Sequence, residues 1–105
     1  MRLSYVVTAE LESEEVRDRY LAWLGTGGHA RDVCAAGASS CEVVLLDGAA
    51  IRVETRYVFA SREAFERYER EEAPRLRAEG RALFPSGVEF TRHTGIVVHV
   101  EGALR

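Results

Sequence analysis

A chain of 105 residues with 47% hydrophobic and 30% charged residues is the size of one domain and should bury roughly 65% of its unfolded surface. Its net charge of −3 argues against a dedicated nucleic-acid surface, and no apolar run approaches a membrane span. No signal peptide opens it, so the expected location is the cytoplasm and the expected organisation one domain over residues 1–105.

All 14 basic residues are arginine, and lysine, asparagine and glutamine are missing. That bias fits coding or thermal adaptation better than binding. Cys34 and Cys41 have neither CxxC spacing nor a disulfide framework, and two reduced, partly buried thiols are expected.

In chain order, Leu3, Tyr5, Val7, Ala9 and Leu11 alternate with more polar residues, which predicts a strand with one apolar face. Ser13 is placed to cap a helix with Glu14 and Glu15 in its first turn, and Val16, Tyr20, Trp23 and Leu24 form its apolar stripe. Gly25 to Gly28 stop that helix, and His29 to Ala36 suit a short further turn. A second strand is expected over Ala38 to Leu46, a turn at Asp47-Gly48, and a third strand over Ile51 to Phe59.

Ser61 to Pro85 reads as an amphipathic helix interrupted at Pro74, which cannot continue the hydrogen-bond ladder. Gly80 in its second half would allow close approach of a neighbouring helix. A fourth strand is expected over Val88 to Val100, bent or bulged at Gly95. The order is βαββαβ. With right-handed crossovers it predicts an α+β, ferredoxin-like, four-stranded antiparallel sheet with two helices on one face.

Two helices cover one side of such a sheet. The other side should carry Val6, Val44, Leu46 and Val58 beside Ser4, Thr8, Arg52, Glu54 and Arg56. This mixture is too apolar to stay fully wet and too charged for a dry core, so a homodimer packed sheet to sheet is expected.

The run Tyr5-Val6-Val7 before an acidic helix, then Tyr20-Leu21-Ala22-Trp23-Leu24 and His29, resembles a small bacterial family of unknown function. The likeness continues through Tyr68 to Phe84, where YEREEAPRLRAEGRALF is close to that family's second helix. The family belongs to the dimeric α+β barrel superfamily, which includes cofactor-independent monooxygenases, haem-degrading enzymes and small-ligand sensors. The resemblance implies a dimeric α+β barrel, carried by scaffold residues rather than catalytic ones.

Gly25 to Ala30 fits GxGxxA, but a helix precedes it where dinucleotide binding needs a strand, so no cofactor is expected. No His, Cys or carboxylate set has metal-ligand spacing, and no metal is expected. His29, beside Asp32, stands where a cavity would open and is either a capping histidine or a general base. Trp23, Tyr20, Tyr57 and Phe59 read as core at their spacing, or as walls of a pocket for a small hydrophobic ligand. Arg52 and Arg56 flank Glu54, a set that suits ion pairs in a dimer interface or an acidic ligand.

RNA binding through a ferredoxin-like sheet would need aromatics facing away from the helices, whereas Tyr5, Tyr57 and Phe59 share the parity of the helix-covered face. The resulting expectation is a homodimer with a binding or structural role and a small hydrophobic or acidic ligand. The alternative is a cofactor-independent monooxygenase or isomerase acting on a small hydrophobic substrate. There His29 would be the base, Arg56 the anion stabiliser, and Trp23 and Tyr57 the pocket walls.

Overall fold

A computed structural model describes residues 1–102. Strand β1 (Leu3–Leu11) keeps its predicted alternation, with Leu3, Tyr5, Ala9 and Leu11 buried under the helices. Helix α1 (Glu14–Leu24) starts where the Ser13 hydroxyl accepts the Val16 N–H at 3.2 Å, and it buries Val16, Tyr20 and Leu24. The chain then doubles back into α2 (His29–Ala35). Glycine is required in that reversal. A Cβ at Gly27 would meet the Trp23 backbone at 2.8 Å, and Gly28 has φ of 86°.

Strands β2 (Ser40–Leu45) and β3 (Arg52–Phe59) form the expected hairpin, closed by a Leu46 N–H to Arg52 carbonyl bond of 3.0 Å. Helix α3 (Arg62–Glu71) is capped by the Ser61 hydroxyl, which accepts the Ala64 N–H at 3.0 Å. The helical run breaks at Glu72, and α4 (Ala73–Leu83) begins with Pro74 in its first turn, where a missing N–H costs nothing. Strand β4 (Val88–Ile96) completes an antiparallel sheet of order β2-β3-β1-β4. This is the ferredoxin-like arrangement expected from the sequence.

One expectation is corrected at β4. The β1–β4 register runs unbroken through Ser4↔Gly95 and Leu3↔Ile96, so Gly95 makes no bulge. The strand also ends at Ile96 rather than Val100: the β1–β4 ladder stops at Leu3↔Ile96, followed by one Val97 N–H to Arg2 carbonyl bond of 2.9 Å.

All four helices lie on one face and pack there as two separate apolar clusters. One joins Leu3, Tyr5, Tyr57 and Phe59 to Val33, Tyr68 and Leu76. The other joins Ala9, Leu11 and Val53 to Val16, Tyr20, Leu24 and Phe84. The opposite face carries cross-strand rows such as Glu42–Arg56–Val6–His93 and Val44–Glu54–Thr8–Thr91. Val44 and Val58 are half-buried there, Arg52 pairs with Glu10 at 2.9 Å, and Arg56 pairs with Glu54.

Candidate ligand cavity

Between the two apolar clusters the sheet and helices do not close. The sheet explains why. Its helix-facing rows carry Tyr57 and Tyr5 on one side and Val53, Ala9 and Phe90 on the other. The row between them is Thr55–Val7–Arg92, short in its centre and charged at its end. Above that row α4 presents Gly80, which has no side chain to fill the space. The result is a cavity of about 210 Å³.

Its walls are mainly aromatic. Tyr5 and Tyr57 come from the sheet, Tyr20 and Trp23 from α1, and Tyr68 from α3. Gly80 also sets the position of Trp23, since a Cβ there would lie 3.0 Å from the indole Cη2. Trp23 also stacks on His29, with ring centres 3.9 Å apart and planes 17° from parallel. The Gly27–Gly28 reversal and Gly80 thus bring one indole against both α2 and α4.

Burial sets the protonation of this lining. The phenols of Tyr20 and Tyr68 are pushed up to about 12, and Tyr57 is also raised, chiefly by burial. They stand as neutral hydroxyls at pH 7. His29 is lowered by burial, with Asp32 and Glu79 pulling the other way, so its ring is neutral. Its Nδ1 is buried without a hydrogen-bond partner. Thr55 is 1% exposed, and its Oγ1 also lacks a partner of hydrogen-bonding geometry, although the Tyr20 hydroxyl is its neighbour. Unpaired polar atoms beside a cavity mark places where a ligand can complete the bonding.

The charged lining is of one sign. Arg77, Arg81 and Arg92 reach the cavity, and among the described residues no carboxylate lines it. Arg77 donates to the Tyr5 hydroxyl at 3.0 Å and pairs with Glu69. Burial opposes charge on Arg77, but these bonds outweigh it and raise its pKa. Arg92 lies over the Phe90 ring at 5.2 Å. Among the described residues neither Arg81 nor Arg92 has an ion-pair partner, nor is any group of three His, Cys, Asp or Glu placed to hold a metal ion.

Of the residues singled out in the sequence, Tyr20, Trp23, His29 and Tyr57 line this cavity, and Phe59 does not. Arg52, Glu54 and Arg56 do not. Strand alternation sends Tyr57 inward and Arg56 outward, so the expected convergence of His29 and Arg56 does not occur within the chain. The arginines that share the cavity with His29 are instead Arg77, Arg81 and Arg92. A signal for two missed residues was present: Thr55 and Arg92 are polar residues at apolar-parity positions, between Val53 and Tyr57 and after Val88 and Phe90. Arg77 and Arg81, four apart on α4, carried no comparable signal. Cys34 and Cys41 are free and half-buried, and burial raises both thiols, Cys41 to about 11.

No protein-family model matches the chain, and no curated protein matches it. Solved structures do. A dimeric ferredoxin-like protein from an uncultured marine organism is 14% identical, with TM-score 0.74 over 96% of this chain and 99% of its own. SnoaB, a cofactor-independent oxygenase from Streptomyces nogalater, is 9% identical, with TM-score 0.67 over 94% of this chain and 95% of its own. The de novo designed protein Foldit4 is 14% identical, with TM-score 0.66 over 92% of this chain and 99% of its own. The class is thus the ferredoxin-like α+β fold. Its appearance in a designed protein as well as an oxygenase underlines that the fold alone names no activity.

Proposed function

We propose that the protein is a homodimeric, cytoplasmic small-molecule-binding protein whose ligand occupies the cavity between sheet and helices. The observation that carries this reading is the cavity itself: an aromatic-walled space left between two well-packed clusters, with partnerless polar atoms at Thr55 and His29. Packing normally removes such space in a purely structural domain.

Dimerisation is supported by the outer sheet face, where Val6, Val44 and Val58 alternate with ion pairs. It is supported also by the edge strand, where Val43 is 41% and Leu45 51% exposed. The half-buried free thiols are in keeping with this reading.

Native mass spectrometry of freshly purified protein, with phenylacetamide as a neutral ring probe, tests both halves of the proposal. A dimer that takes up the probe, with a change in the emission of Trp23, is the expected result. A monomer refutes the assembly, and a dimer whose Trp23 emission ignores saturating probe refutes the use of the cavity.

A second reading keeps the same cavity and adds chemistry, as a cofactor-independent monooxygenase or isomerase acting on a small hydrophobic substrate. The neutral His29 ring, with one nitrogen unpartnered beside the cavity, favours it as a base. The anion-stabilising role then falls to Arg77 or Arg92 rather than Arg56. Turnover lost in His29→Gln with ligand affinity retained would separate this reading from simple binding.

A further inference from the structure

We infer that the cavity's ligand is a single-ring aromatic or similarly flat carboxylic acid, with its ring between the tyrosines and Trp23 and its carboxylate at Arg92 and Arg81. This inference rests on the binding role proposed above and adds the chemical class of the ligand.

Charge is the first argument. The chain has 17 acidic against 14 basic residues. The cavity reverses that balance, with three arginines and no carboxylate among its described lining residues. Arg77 is held by Glu69 and the Tyr5 hydroxyl. Arg81 and Arg92 are exposed, lack ion-pair partners among the described residues, and border the cavity from α4 and β4, so they mark its mouth. Guanidinium forks match a carboxylate's two oxygens.

Placement is the second. The row Thr55–Val7–Arg92 crosses the sheet beneath the cavity, with exposed Arg92 on one side of Val7 and buried Thr55 on the other. A ligand lying along this row places its acid at Arg92 and its ring over Val7. Its far edge then meets the partnerless Thr55 hydroxyl, which a ring hydroxyl or carbonyl would satisfy.

Size is the third. At about 210 Å³ the cavity falls below the ~300–1,000 Å³ of drug-sized sites, which suits a small ligand built on one ring. The walls suit a flat apolar body: Tyr5 and Tyr57 stack at 5.8 Å, and Trp23 is fixed by His29 and Gly80.

The test compares three ligands of nearly one shape on the full-length protein: phenylacetate, phenylacetamide and 2-phenylethylammonium. Binding is followed by calorimetry and by the emission of Trp23, the sole tryptophan. The acid should bind about tenfold more tightly than the amide, and the ammonium should bind most weakly. In Arg92→Gln with Arg81→Gln, both at exposed positions, the acid's advantage should vanish while the amide is unaffected. An amide that binds as tightly as the acid, or an acid preference that survives the double variant, overturns the inference and leaves the cavity reading standing. Failure of all three ligands overturns both.

Discussion

Replacement of Thr55 by valine tests the cavity floor most directly. The side chain is 1% exposed, and its Oγ1 has no hydrogen-bond partner. An unpaired buried hydroxyl costs ~1–3 kcal/mol, and valine exchanges it for a methyl group of nearly the same size. Both residues are β-branched, so strand preference in β3 changes little. Taking the lower end of that cost, Thr55→Val should stabilise the protein by about 1 kcal/mol. For a domain of this length that corresponds to a rise in Tm of roughly 4 °C.

The competing possibility is a hydrogen bond with Tyr20, the neighbouring hydroxyl. Its loss would cost about 1 kcal/mol and leave a second buried hydroxyl unpaired. Urea unfolding of wild type, Thr55→Val, Tyr20→Phe and the double variant decides between them. A higher midpoint for Thr55→Val, an unchanged m-value and near-zero coupling to Tyr20→Phe are expected. A lower midpoint with coupling of about 1 kcal/mol would refute the description of Thr55 as a polar group awaiting a ligand.

Three other outcomes follow from the structure. His29 is neutral when folded because burial lowers its pKa from 6.5. The unfolded chain therefore binds the extra proton first. This contribution is intact above about pH 6.5 and is lost as pH falls through the folded value, so the acid-side stability slope should flatten in His29→Gln when urea midpoints are measured from about pH 8 to 5. Gly80→Ala should gain ~1 kcal/mol of helix preference but force a methyl to 3.0 Å from Cη2 of Trp23, a ring already stacked on His29. The overpacking cost of ~1–3 kcal/mol wins, and chemical denaturation should show a net loss of about 1 kcal/mol with a shifted Trp23 emission. Val44→Arg, on the outer sheet face beside Glu54, should leave circular dichroism unchanged and convert the proposed dimer to monomer in sedimentation velocity. An unchanged dimer would move the interface away from this face.

Much of the fold is legible in the residues. The alternation of Leu3 to Leu11, the caps at Ser13 and Ser61, and the break before Pro74 are local, and each records a backbone preference that needs no partner. Even the parity that sends Tyr57 inward and Arg56 outward is local, and the structure keeps it. The end of β4 is not local: Val97 to Val100 have strand-like side chains, but a strand persists only while a neighbour supplies hydrogen bonds, and the β1–β4 ladder stops at Leu3↔Ile96. The cavity is likewise a property of register and packing. Thr55, Val7 and Arg92 are far apart in sequence and become one row only when β3, β1 and β4 pair, and Gly80 leaves space above them only because α4 packs there. Periodicity determines which face a side chain points to. Only the tertiary arrangement decides what stands opposite it, and so whether that face closes into core or opens into a site.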